Sequence, residues 1–158
     1  MSHHPDPAAV GTLLRHLLEL LDGDVAKVYQ EQDLAEYRPR FSPVVRALLA
    51  EGPLPVRDLA AAVGVTHSAA SQTAAEMARA GLVTHTPDPR DARRRLIELT
   101  PKAHALLPQI EAEWDATVAA MAELDAELSM PLTDLLTEVA EAVRRRPFRE
   151  RITAAYRL

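Results

Sequence analysis

The sequence predicts a mostly α chain with one small β element (α+β), and three observations carry that expectation. Long Leu/Ala/Glu stretches hold apolar residues at helical spacing, only two short central runs suit strands, and twelve prolines stand against five glycines. A chain of 158 residues is the size of a single domain, read here as spanning 1–158. Its residues are 47% hydrophobic but only six are aromatic, so the core must be aliphatic.

Met1 to Pro7 reads as a disordered lead, and the pair His3-His4 as part of that flexible end rather than a metal site. From Ala9, the residues Val10, Leu13, Leu14, Leu17, Leu18, Leu21, Val25 and Val28 predict a first long helix to about Gln32. Its apolar stripe is wide enough to face a second subunit as well as the core. Asp33 to Arg40 reads as a polar link interrupted by Pro39. Ser42 then serves as an N-cap with Pro43 at the first helical position, and Gly52-Pro53 ends that helix after Leu49.

The segment Pro55 to Thr100 organises the rest. Leu59, Ala60 and Val63 share one helix face, and Gly64 follows where a sharp reversal needs positive φ. Thr66 is a good cap for a second helix, whose buried stripe is Ala70, Ala74 and Met77, and Gly81 stops it. Pointing away from that stripe are His67, Ser68, Ser71, Gln72 and Ala75. Leu82–Thr86 and Leu96–Leu99 suit strands, with Pro87–Arg95 as the hairpin between them. Two prolines stiffen its tip, Arg90, Arg93, Arg94 and Arg95 ride on it, and Asp91 is placed to hold a neighbouring guanidinium.

Two short helices followed by a two-stranded hairpin make the layout of a winged helix-turn-helix, whose second helix fits a major groove about 12 Å wide. Gln72 has the geometry for bidentate contact to adenine, while Ser68 and Ser71 can reach a base edge or a phosphate. A thin arginine-bearing hairpin matches a minor groove, where negative potential concentrates. Each helix residue reads equally as part of a solvated face, and a charge run is often only a solvated loop.

Thr100-Pro101 repeats the helix-start signal. Leu107, Ile110, Trp114, Val118, Met121, Leu124 and Leu128 follow at a spacing near the 3.5 residues of a coiled-coil seam, and Pro108 should kink that helix. After a break at Ser129–Pro131, a last long helix carries Leu132, Leu135, Leu136, Val139 and Val143 into Arg144–Arg146. Those arginines suit a helix C-terminus, although a second nucleic-acid contact is the competing reading. Pro147 stops the helix, and Phe148, Ile152 and Tyr156 outline a short amphipathic one beyond it. Residues 41–100 are thus read as the DNA-binding part, with 8–37 and 101–158 as a helical dimerisation part.

Charge is divided along the chain. Residues 1–37 hold two bases and seven acids, 38–102 ten and six, 103–143 none and nine, and 144–158 six and one, for a net of −5. Positive charge therefore sits on the central module and the C-terminal tail, which would aim the module at a duplex. The absence of Cys excludes disulfides and zinc-thiolate sites. No apolar run approaches the ~18 residues that span a membrane, and no signal-peptide core is seen, so a cytoplasmic protein is expected. No spacing of His, Asp and Glu matches a catalytic set, so an enzyme is not expected, nor a cofactor.

From about Phe41 to Leu107 the chain resembles the multiple-antibiotic-resistance regulator (MarR) family. The residues that carry the likeness are Leu59-Ala60, Gly64-Val65, Gly81-Leu82-Val83, Asp88-Pro89-Arg90-Asp91-Ala92-Arg93 and Leu99-Thr100-Pro101-Lys102. Ala103 stands where the family usually has glycine, and the second helix has few long polar side chains. The resemblance implies a homodimeric transcription factor on double-stranded DNA, often a repressor released by a small aromatic or lipophilic ligand. It makes Arg93 the wing-tip arginine and Asp91 its orienting carboxylate. It also implies a ligand pocket, for which His16, Tyr29, Tyr37 and Trp114 are the available residues, each equally readable as core or surface. A winged-helix protein-interaction adaptor and a metal-responsive regulator using His16, His67, His85 or His104 are the alternatives.

Overall fold

The computed structural model describes residues 9–156, so the expectations for Met1–Pro7 and His3-His4 lie outside the described residues. The order is α1 (Val10–Glu31), a short 3-10 helix (Pro39–Phe41), α2 (Ser42–Glu51), α3 (Val56–Val63) and α4 (His67–Arg79). There follow strands β1 (Val83–Asp88) and β2 (Asp91–Leu99), then α5 (Pro101–Glu127), α6 (Leu132–Arg145) and α7 (Phe148–Ala155). The mostly α architecture with one two-stranded antiparallel sheet is the expected winged helix-turn-helix with flanking helices. The chain divides into two compact units, Met1–Ile110 and Glu111–Leu158, and α5 crosses that division.

Three helices of the first unit end in the same way. Gly64 and Gly81 adopt φ of 76° and 71°, and Asp33 adopts 57°. In each case the next amide donates back to a carbonyl five residues earlier: Leu34 to Tyr29, Val65 to Ala60 and Leu82 to Met77, at 2.8, 3.0 and 2.8 Å. This satisfies carbonyls that a helix end otherwise strands, and it reverses the chain tightly. Glycine takes the left-handed conformation without strain, and Asp tolerates it.

The reversal at Asp33 corrects the reading of 33–40 as a polar link. It turns Leu34 inward, and Leu34, Tyr37 and Phe41 are all buried. Tyr37 stacks edge-on against Tyr29 at 4.9 Å and against Phe41 at 5.8 Å. Ser42 is likewise not a cap. It is the first residue of α2, and its Oγ lies 3.4 Å from the Tyr29 hydroxyl and 3.3 Å from that of Tyr37. The 3-10 helix runs straight into α2, so no free N-terminus is left for a side chain to cap.

Around this aromatic group the first unit buries Val44, Val45 and Leu48 of α2, Leu59 and Ala60 of α3, and Ala70, Ala74 and Met77 of α4. Leu82, Val83, Ile97 and Leu99 close it from the sheet. The predicted stripes of α3 and α4 are thus the observed ones, with Val63 half-buried. Thr66 caps α4 as its sequence implies, its Oγ1 accepting the Ala69 amide at 3.2 Å. Thr100 caps α5 in the same manner, accepting from Ala103 at 3.2 Å while donating to the Gly81 carbonyl at 2.6 Å. Pro108 lies inside α5 without ending it.

In the second unit, α6 and α7 contain no buried residue. Leu135, Leu136, Val139 and Val143 on α6, Phe148 and Ile152 on α7 and Tyr156 directly after it are exposed large hydrophobics, as are Val10, Leu14 and Leu18 on α1 of the first unit.

Candidate nucleic-acid interface

The connection between α3 and α4 is short because Gly64 reverses the chain and Thr66 restarts it two residues later. Burial of Ala70, Ala74 and Met77 fixes the rotation of α4 about its own axis. The opposite face must then point outward. His67, Ser68, Ser71, Gln72 and Ala75 are all exposed there, over the first two and a half turns.

The hairpin differs from its sequence-based outline. Strands run almost to the tip, and only Pro89 and Arg90 lie outside them. Val83 pairs with Leu99, His85 with Ile97 and Pro87 with Arg95, after which the register slips and Asp88 pairs with Asp91. Residues 92–94 are therefore extra on β2, a bulge that carries Arg93 and Arg94 at the distal end. Arg95 belongs to the ladder rather than the loop. The cause is the pairing itself: Ile97 and Leu99 bury one side of β2, and that register carries its neighbours into the sheet whatever their propensity.

Asp91 also acts differently from the expectation. Its Oδ1 accepts the backbone amide of Arg93 at 3.0 Å, and Asp88 Oδ1 accepts that of Arg90 at 2.9 Å. The two carboxylates shape the main chain of the tip instead of pinning a guanidinium. Arg94 reaches back to Asp58 of α3, 3.5 Å away, while Arg90, Arg93 and Arg95 are exposed with no carboxylate in ion-pairing range among the described residues.

Helix and wing meet at a cleft of about 180 Å³ lined by Val56, Ser71, Ala75, His85, Arg95 and Ile97. Ser71 and Arg95, both singled out by sequence, are brought together here. His85 was singled out only as a metal ligand, and it lies in this cleft through the register that sets it opposite Ile97. Among the described residues no group of three or more His, Asp or Glu side chains could hold a metal ion.

The residues assigned to a ligand pocket part company. Tyr29 and Tyr37 are core residues, 1% and 3% exposed, whereas His16 on α1 is half-buried. Trp114 belongs to the second unit and is half-buried there. No helix of the described residues is long and apolar enough to cross a membrane.

A MarR family model matches residues 42–94, from the start of α2 to the bulge of the wing. No curated protein sequence matches the chain. Among solved structures, BpsR of Bordetella bronchiseptica, whose DNA binding 6-hydroxynicotinic acid regulates, is similar at a TM-score of 0.64 and 16% identity, covering 91% of this chain and 97% of that one. The PcaV transcriptional regulator of Streptomyces coelicolor, in complex with its natural ligand, is similar at 0.63 and 21%, covering 92% and 99%. CouR of Rhodococcus jostii RHA1, bound to p-coumaroyl-CoA, is similar at 0.57 and 23%, covering 89% and 92%. At such identities the likeness is one of fold. The segment that matches the MarR family holds the helix-turn-helix and most of its wing, and the chain has the winged-helix fold of these solved transcriptional regulators.

Proposed function

We propose that the chain acts as a homodimeric repressor on a pseudo-palindromic DNA operator and is released by a small ligand. The observation that carries the DNA part is the meeting of an outward, small-residue face of α4 with an arginine-bearing wing at one cleft, which Ser71 and Arg95 both line. In this reading Ser68, Ser71 and Gln72 meet base edges or phosphates, with His67 at the start of α4 beside them. Arg90, Arg93, Arg94 and Arg95 supply the minor-groove contacts, and Asp91 shapes the tip that presents them.

Exposed leucine and valine faces on α1 and α6 support a second copy of the chain as the partner, since apolar patches of this kind mark protein contacts. Two-fold symmetry then sets the recognition helices about 34 Å apart, on successive major grooves. BpsR is regulated by 6-hydroxynicotinic acid, PcaV is in complex with its natural ligand and CouR is bound to p-coumaroyl-CoA, and this likeness supports a ligand here. His16, Tyr29 and Tyr37 of the first unit are its proposed contacts.

The test is mobility shift on a duplex selected from a random library. Arg93→Ala should weaken binding several-fold to about a hundredfold, corresponding to ~1–3 kcal/mol, without changing the circular dichroism. Wild-type affinity should also fall steeply with salt as phosphate contacts release counterions. Unchanged affinity in the variant removes the wing from the interface.

A further inference from the structure

Three arginines from different stretches of the first unit line one cleft away from the cleft between α4 and the wing. Arg38 precedes the 3-10 helix, Arg40 lies within it, and Arg79 is the last residue of α4. With Glu36, Phe41 and Glu76 among their neighbours they line a cavity of about 480 Å³. That volume lies in the range of small-molecule sites.

Both carboxylates of the cleft are already engaged. Glu76, whose side chain is 16% exposed, pairs with Arg40, and Glu36 accepts from Lys102 Nζ at 2.6 Å. Arg38 and Arg79 have no carboxylate in ion-pairing range among the described residues. The cleft therefore holds two guanidiniums without a carboxylate partner and a third that is paired with Glu76 and lies over the Phe41 ring. A guanidinium presents a planar fork of donors that matches the oxygens of a phosphate or carboxylate.

We propose that this cleft binds a small, multiply charged oxyanion, a phosphate ester or polycarboxylate, with Arg38 and Arg79 as its ligands and Arg40 as a third drawn from Glu76. A DNA backbone fits it less well. A duplex is a convex rod carrying a continuous run of phosphates, and the two carboxylates in the wall repel such a run while a compact anion can sit between the arginines. Glu76 lies one helical turn beyond Gln72 on α4. An anion that takes Arg40 from Glu76 thus acts on the helix assigned to the major groove, and this consequence, unlike the site itself, rests on the DNA-binding reading.

Titration calorimetry with citrate and with inorganic phosphate, at an ionic strength held constant with chloride, tests the site. Wild type should bind at least one of them saturably, and the double variant Arg38→Gln/Arg79→Gln should weaken that binding about tenfold or more. Arg93→Gln on the wing should leave it unchanged, and Arg38→Lys/Arg79→Lys should recover part of it. Should the double variant melt early, the single variants carry the same comparison. Absence of saturable binding by wild type, or equal binding by the variant, overturns the site. A double variant that lowers duplex affinity and its salt dependence with no anion bound assigns these arginines to the DNA backbone, and overturns it too. Wild type that binds citrate or phosphate but no selected duplex upholds the site and defeats the DNA reading instead.

Discussion

The winged core and the helices near the chain ends carry similar apolar periodicity with opposite outcomes. In α3 and α4 the residues at helical spacing are closed in by the strands and α2, and Leu59 and Met77 are 0% exposed. In α6 the same spacing leaves Leu136 and Val139 at 46% and 50%. Periodicity reports that a face is apolar and says nothing of what covers it. The core supplies its own cover, whereas the α6 face has none among the described residues, and a second copy is proposed above to supply it.

Leu59→Ala is expected to break the first side of this comparison most severely. Removing a fully buried side chain should cost about 2–5 kcal/mol, visible as a fall in melting temperature at any protein concentration. A loss near zero would mean that the core is not closed as described. Val139→Glu addresses the other side: the circular dichroism should persist while sedimentation equilibrium shows the dimer weakened by about a hundredfold or more. An unaltered mass would take α6 out of the proposed interface.

A smaller effect sharpens the contrast at the boundary of the core. The hydrogen bond from Lys102, reinforced by its charge, holds the exposed Glu36 carboxyl below its ordinary range. A lowered folded value means that the contribution is present above the unfolded carboxylate pKa and is lost as pH falls through the folded one. The gap in melting temperature between wild type and Glu36→Gln should therefore be small at neutral pH and close on acidification. A gap that grows in acid would assign the wrong sign to this pair.

Much of the core was legible because its signals are local. Thr66 caps, Gly64 reverses, and Ala70, Ala74 and Met77 recur at a helix period, each needing only its neighbours. What escaped depends on remote partners or on an unusual residue in a familiar role. Asp33 performs a reversal that glycine would have advertised, so the inward turn of Leu34, Tyr37 and Phe41 went unmarked. Arg95 lies in a ladder fixed by Ile97 and Leu99, and the bulge at 92–94 follows from a register that no single-strand pattern encodes. The outward residues of α4 were legible by subtraction from its buried stripe. The cleft of Arg38, Arg40 and Arg79 was not, because it gathers residues up to about forty positions apart.

The wing has one further attachment. Leu54, in the segment joining α2 to α3, exchanges two backbone hydrogen bonds with Ile97: its amide donates to the Ile97 carbonyl at 3.1 Å and its carbonyl accepts at 2.7 Å. The hairpin is thus a cantilever whose root is bolted, main chain to main chain, to the threshold of α3. Bending is expected only beyond Ile97, so in the proposed complex the guanidiniums at the tip would follow the groove while the stem keeps its attachment at the start of α3.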